Sequence, residues 1–173
     1  MSEASDYLVV EHLRDGRPIE IRALRPNDRD EILVAIGRTS TQSIQRRFFA
    51  PKKGFSEKEM DFFLNIDFEG HVALVAQIDE DGRAAIAGGG RYIVVRPGKA
   101  EVACTVVDTY QGLGIGTILM RHLAKLARDA SLKELTALVL PENTAILKVL
   151  REFGFRTASG VQKGELHLTL RLA

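Results

Sequence analysis

Residues 109–130 read TYQGLGIGTILMRHLAKLARDA, with glycines at the alternate positions Gly112, Gly114 and Gly116 before a helix-like repeat. A strand-like run, EVACTVVD, stands just ahead of them. A glycine loop that opens a helix offers free backbone N–H groups and the positive end of the helix dipole, which suits a pyrophosphate. Glycine also removes the Cβ atoms that would hold a ligand away. On this pattern alone a tight turn is an equal reading. Two phosphate-binding classes fail on spacing. The dinucleotide fingerprint is G-x-G-x-x-G, with an acid ~20 residues on at the end of the next strand. Here the spacing is G-x-G-x-G, and the acid at that distance, Glu134, falls at the start of the next strand. A P-loop needs a Lys directly after its glycines, and none follows.

The elements around the loop follow from periodicity. YLVVEHL and PIEIRAL predict two strands, joined by an Asp-Gly turn in RDGR. RPNDRDEILVAIGR predicts a helix capped by Asn27 or Asp28, with Asp30 and Glu31 in its first turn. TQSIQRRFF predicts a second short helix, and FSEKEMDFFLNI a third, opened by a capping box of Ser56 with Glu59. HVALVAQI, AAIAGGGRYIVV and AEVACTVV then read as three strands separated by the hairpin loops DEDG and RPGK. The helix after the glycines runs to about Ala130 and puts Ile115, Leu119, Leu123, Leu126 and Ala127 on one face. ELTALVL is a strand, NTAILKVLREF a helix stopped by Gly154, and GFRTA with GELHLTLRL closes the sheet. The fold class is α/β (α+β): a mixed, mostly antiparallel central sheet flanked by helices, with a C-terminal βαβα segment.

Composition narrows the function. The chain has 173 residues, which predicts a single domain over 1–173. Apolar residues are 45% and charged residues 27%, ordinary for a globular protein. A net charge of +1 argues against nucleic-acid or anionic-membrane partners. The single cysteine, Cys104, forms no internal disulfide and fits a reducing compartment. No apolar run reaches the ~18 residues of a membrane helix, and no signal peptide is expected, so the expected location is the cytoplasm. The four histidines, His12, His71, His122 and His167, lack metal-ligand spacing, and no metal is expected. His122 falls among Arg121, Lys125 and Arg128, on the face predicted to be polar.

The flanks of the loop decide between turn and cradle. VVDTYQGLGIGT fits V-x-x-x-x-Q-x-x-G-x-G, with Val106, Gln111, Gly114 and Gly116 in place. This resembles the acyl-CoA pyrophosphate loop of the GNAT superfamily of N-acetyltransferases. ENTAILKVLREFGF resembles that superfamily's next motif, an Asn at a helix start and Gly-Phe beyond its end. IRALRPND, SIQRRFFAP, SEKEMDFFLNIDFEGHVALVA and AEVACTVVDTYQGLGIGT resemble the acetyltransferase domain of bacterial protein lysine acetyltransferases. In that group the domain is often fused to a regulatory or acyl-CoA-synthetase-like module, and neither is expected in these residues.

The resemblance implies an acetyl-CoA-dependent N-acetyltransferase. Gln111, Gly112, Leu113, Gly114, Ile115, Gly116 and Thr117 would cradle the pyrophosphate. Val106 and Val107 would offer backbone to the pantetheine arm, and Asn143 would touch that arm or serve only as a helix cap. Glu101 would be the general base, since a lysine of pKa about 10.4 must lose a proton before it attacks a thioester. A solvated strand-start Glu is the plain alternative. Leu150 stands where the family often has a Tyr that protonates the leaving thiolate. Strand alternation puts Cys104 opposite Glu101, which favours packing over an acyl-enzyme. The segment Arg46-Arg47-Phe48-Phe49 would border the acceptor groove. The three consecutive glycines at 88–90 would curve the sheet or let another backbone approach. The implied acceptor is a protein lysine, such as one on an acyl-CoA synthetase. A small amine, or an acyl-CoA sensor that binds without transfer, remains open.

Overall fold

The structure, a computed structural model, describes residues 3–38, 57–162 and 164–172. Strands β1 (Leu8–His12) and β2 (Pro18–Ala23) form the first hairpin, with Leu8 opposite Arg22 and His12 opposite Pro18. A 3-10 turn over Pro26–Asp28 leads into helix α1 (Arg29–Gly37), whose first turn carries Asp30 and Glu31. Asp28 is not the simple helix cap that its position suggests. It is buried against Arg22, whose two guanidinium nitrogens each donate to it at 2.8 Å, and it also accepts from the Arg25 backbone N–H at 2.8 Å. Helix α2 spans Glu57–Leu64. The helix expected over 41–49, Arg46 to Phe49, and the Ser56–Glu59 capping box lie outside the residues and side chains described.

Three antiparallel strands follow: β3 (His71–Glu80), β4 (Arg83–Arg96) and β5 (Lys99–Val106). The tight turns expected between them are present, with Asp81, Gly82 and Gly98 at positive φ. Helix α3 (Ile115–Asp129), strand β6 (Glu134–Val139), helix α4 (Thr144–Phe153) and the hairpin of β7 (Arg156–Gln162) with β8 (Glu165–Arg171) complete the order. The sheet runs β1-β2-β3-β4-β5-β6-β8-β7. Every neighbouring pair is antiparallel except β5 with β6. This is the mixed, mostly antiparallel sheet that the pattern predicts.

The main core lies where α3 and α4 meet one face of the sheet. Leu119, Leu123 and Ala127 are fully buried with Tyr92, Ala100 and Val102. Each buried leucine contributes roughly 1.5–3 kcal/mol over exposure. A smaller cluster of Leu24, Leu64, Ala73, Val75 and Ile86 forms apart from it. The glycines at 88–90 are explained by what crowds them. A Cβ on Gly90 would meet Leu123 Cδ1 at 2.8 Å and Cys104 Sγ at 2.9 Å, and one on Gly88 would meet the Thr105 carbonyl at 2.7 Å. The backbone they admit is thus the neighbouring β5, with α3 pressed above. The register also slips beside them, between Ala76 and Gln77 of β3.

His122 corrects a second expectation. It is buried on α3, not on a polar face. Its Nε2–H donates to Glu11 at 2.6 Å, and its Nδ1 accepts from the Tyr7 hydroxyl. Arg121 donates to the same Glu11 oxygen at 2.5 Å, so the first strand is tied to α3 by a polar cluster. No helix among the described residues is long and apolar enough to cross a membrane.

Candidate functional site

A parting of two strands builds the site. β5 and β6 pair in parallel only at Lys99↔Glu134, Ala100↔Leu135 and Glu101↔Thr136. Beyond Glu101 each strand keeps its outer partner: β5 stays on β4 as far as Val106↔Gly88, and β6 stays on β8 as far as Val139↔Leu166. Their facing edges separate. A cleft of about 270 Å³ opens between them, lined by Val102 to Val106 on one side and by Ala137 to Val139 on the other. Ala145, Ile146, Val149 and Leu150 of α4 line the same cleft. Its walls are mainly apolar, and the β5 edge along it no longer pairs with β6, the geometry in which an extended ligand can lie beside a strand.

The glycine loop closes one end. Gln111, Gly112, Gly114, Ile115, Gly116 and Thr117 all line the cleft. Gly112 and Gly114 have φ of +84° and +91°, a region that L side chains rarely adopt. No side chain caps α3, and its first turn carries no acid. The first intrahelical bond runs from Ile118 N–H to the Gly114 carbonyl at 3.0 Å. The N–H groups of Ile115, Gly116 and Thr117 are therefore left for an anion. A Cβ on Gly112 would meet nothing within 4 Å, so open space lies over the loop.

A polar cluster holds the approach to this loop. Arg38 donates to both Glu80 oxygens, at 3.1 and 2.8 Å, and to Thr109 Oγ1 at 3.3 Å. The Tyr110 hydroxyl donates to Glu80 as well. The guanidinium groups of Arg17 and Arg38 lie 5.8 and 5.6 Å from the Tyr110 ring centroid. Gln111 is exposed and bonded locally, donating to the Val106 carbonyl at 3.2 Å and to Asp108 at 3.4 Å.

Two of the expected binding residues stand apart from the cleft. Val107 is buried in the core, and its N–H donates to the Ala87 carbonyl at 2.8 Å, so that group is already used. Leu113 packs against the core, and its carbonyl accepts from Arg14 N–H at 3.3 Å. Neither lines the cleft, whereas Val106 does. Asn143 caps α4 and also faces the cleft. Its Oδ1 accepts from Ile146 N–H at 3.2 Å as a helix cap, and the residue lines the cleft.

Glu101 is half-buried on the face of β5 opposite Cys104, one residue before the first lining residue, Val102, and is not itself in the cleft wall. Burial pushes its carboxyl above the usual carboxylate range, and the Glu165 carboxylate adds to the rise against a pull from His167. A carboxylate so placed binds a proton more readily than one in water, as a base working near neutral pH must. Cys104 packs against the core with its sulfur beside Gly90, although it also lines the cleft. Leu150 is fully buried and brings no proton donor. Tyr110 lines the cleft too, but its hydroxyl is committed to Glu80.

Sequence reasoning missed several parts of this site. The apolar wall from β6 and α4 was legible only as core periodicity. Thr105 Oγ1 is buried in the cleft wall with no hydrogen-bond partner among the described residues, which leaves it available to a ligand. On the Glu101 face the register also aligns His71 and Ile93 with Glu101, and Arg91 with Ala103. Arg91 Nη1 and His71 Nε2 are 2.9 Å apart. No group of three or more His, Cys, Asp or Glu residues is arranged for a metal among the described residues.

Comparison with known proteins bears on this geometry. Residues 38–155 match the model of the acetyltransferase (GNAT) family. An acetyltransferase of Pseudomonas aeruginosa is 35% identical over 147 residues, covering 84% of this chain and 79% of its own length. Acetyltransferase Pat of Mycolicibacterium smegmatis is 30% identical over 146 residues, covering 82% of this chain but 42% of Pat. Among solved structures, the GNAT domain of S. lividans PAT superimposes with a TM-score of 0.87 at 28% identity, covering 95% of this chain and 96% of that domain. A Salmonella typhimurium protein solved with its cofactor acetyl-CoA shares the fold, with a TM-score of 0.68 at 18% identity over 90% of this chain and 94% of its own.

Proposed function

The chain belongs to the acetyltransferase (GNAT) family and is an N-acetyltransferase, and we propose that it moves an acetyl group from acetyl-CoA directly to a lysine side chain of a protein, with Glu101 as general base. The single observation that carries this reading is the parting of β5 from β6 directly after Glu101. It leaves a cleft that begins at Val102, next to Glu101, and ends at the glycine loop, which supports reading Glu101 as the base and the loop as the anion cradle. Acetyl-CoA has that polarity, a thioester at one end and a pyrophosphate further along.

Each residue then has a physical task. The N–H groups of Ile115, Gly116 and Thr117 hold the pyrophosphate, with Gly112 and Gly114 keeping the approach open. The edge of β5 that faces the cleft from Val102 to Val106 orients the pantetheine arm, and Asn143 touches it through Nδ2. Acetyl-CoA supplies a thioester whose carbonyl carbon accepts the amine nitrogen as the C–S bond breaks. Glu101 takes the proton that the acceptor ammonium must lose, directly or through water. With Leu150 in place of a Tyr, the thiolate leaves without a dedicated acid, and water protonates it. Holding amine and thioester together supplies much of the rate. The proposed setting is the cytoplasm, where a single reduced Cys104 is ordinary.

Resemblance to bacterial protein lysine acetyltransferases supports a protein acceptor, as does the likeness to Pat and the PAT domain. A small-amine acceptor is a second reading, favoured by one observation. His71, Arg91, Glu165 and His167 give the Glu101 face more polar groups than the sequence suggested. The test is incubation with acetyl-CoA and a purified acyl-CoA synthetase, with acetyl-lysines mapped by mass spectrometry. Site-specific acetylation above the non-enzymatic background is expected. Rapid turnover of one small amine with no such acetylation would promote the second reading. CoA binding with no release of thiol to any amine would indicate a sensor.

A further inference from the structure

The anion cradle at residues 111–117, QGLGIGT, brings no charge of its own. Its glutamine donates to the Val106 carbonyl and to Asp108. A pyrophosphate held by neutral N–H groups alone lacks a cation. One stands across the loop, from a part of the chain with no sequence link to it. Arg14 lies in the turn between β1 and β2, and its N–H donates to the Leu113 carbonyl at 3.3 Å, docking that turn on the loop. Its side chain then runs over Gly114. A Cβ built there would meet Arg14 Nε at 3.4 Å, Cγ at 3.8 Å and Cδ at 3.9 Å. Arg14 lines the same cleft as the loop.

The neighbouring acids are engaged elsewhere. Asp15 pairs with Arg17 at 2.7 Å, and Glu11 with Arg121 at 2.5 Å and His122 at 2.6 Å. Arg14 is exposed and makes no ion pair among the described residues. Among the residues lining the cleft the cations are Arg14 and Lys148, and Lys148 comes from α4. Arginine suits the task better than lysine, because its planar fork matches two phosphate oxygens at once.

We propose that Arg14 is a ligand of the acyl-CoA pyrophosphate, closing over the glycine loop from the β1–β2 turn. The inference rests on reading that loop as the CoA site. It gives the N-terminal hairpin a role in cofactor binding.

Calorimetry of the full chain with CoA, dephospho-CoA and pantetheine tests it. Arg14→Ala is expected to weaken CoA and dephospho-CoA alike by roughly 10-fold or more, as the loss of a charge-assisted bond does. Pantetheine, which has no phosphate, should bind the variant and the parent equally. Arg14→Lys should recover part of the loss. The thermal midpoint should stay that of the parent, because the side chain is exposed. Equal CoA affinity of Arg14→Ala and parent would overturn the proposal. So would a loss seen with CoA and absent with dephospho-CoA, which would assign Arg14 to the 3′-phosphate. A loss extending to pantetheine would show a damaged cleft and would also overturn it. Failure of the parent itself to bind CoA would defeat the reading of the loop on which the proposal stands.

Discussion

Glu101 and Thr136 are the last residues at which β5 and β6 pair, and the cleft opens directly beyond them. The acid is thereby held where the sheet is still closed, half out of water, with its carboxyl pushed up by burial and by Glu165. A residue one turn of pleat further along would lie in the cleft wall itself.

That position has a consequence for stability. A carboxyl whose folded pKa is raised binds its proton more tightly in the folded chain than in the unfolded one. Stability therefore falls as pH rises from the unfolded value through the folded one. Above that window the parent carries an unfavourable half-buried charge. Glu101→Gln should have a higher thermal midpoint than the parent at pH 7, and the gain should vanish as pH falls below the ordinary carboxylate range. A variant less stable than the parent at pH 7 would contradict the raised pKa.

Gly116 offers a clean probe of the loop. Gly112 and Gly114 have positive φ, so any side chain there brings strain of its own. Gly116 is helical, and a Cβ on it would meet Val149 at 3.6 Å and Val106 Cγ2 at 3.9 Å, ordinary contacts. Gly116→Ala should keep or raise stability, since alanine favours a helix interior by up to about 1 kcal/mol. The added methyl nonetheless points between two walls of the cleft, and CoA affinity should fall roughly 10-fold, or 1.4 kcal/mol. Denaturation and calorimetry on one preparation read both effects. Unchanged affinity would show that the ligand passes elsewhere.

The Arg22–Asp28 pair should be a large single contributor to the stability of the N-terminal half. Burial alone would raise the Asp28 carboxyl, but bonds from Arg22 and the Arg25 N–H hold it below its ordinary value. Its contribution is thus present above the unfolded pKa and lost as pH falls through the folded one. Asp28→Asn strands a buried guanidinium and should cost about 3–5 kcal/mol in urea denaturation. A cost under about 1 kcal/mol would mean that Gln77 and the Ala23 carbonyl, which also accept from Arg22, suffice without the charge.

Much of this architecture was legible because local signals agreed. Asn143 before an apolar repeat and Gly154 after it bracket α4, and both sit where capping physics puts them. The glycine loop was legible because its glycines fall between a strand run and a helical repeat, with Val106 and Gln111 at fixed spacing before them. What the sequence hid was tertiary. Asp28 read as a cap because its partner, Arg22, lies in a strand and carries no sign of being buried. His122 read as polar from Arg121 and Lys125, although it stands four residues before Leu126 and three after Leu119, on the flank of the buried face. Arg14 had no signal at all. It reaches the loop through a hairpin almost a hundred residues away in the chain, and only folding brings the two together.

As the proposed general base, Glu101 removes the acceptor's proton in the reaction that this cleft supports. The most direct test of that role is the pH profile of acetyl transfer from acetyl-CoA to a lysine acceptor, for the parent and Glu101→Gln, with CoA affinity measured alongside. Unchanged CoA affinity is expected, with a rate lowered by ~10²-fold or more near neutral pH. The deficit should shrink at high pH, where more of the amine is already neutral. Matching rates for the two proteins across the whole pH range would contradict that role.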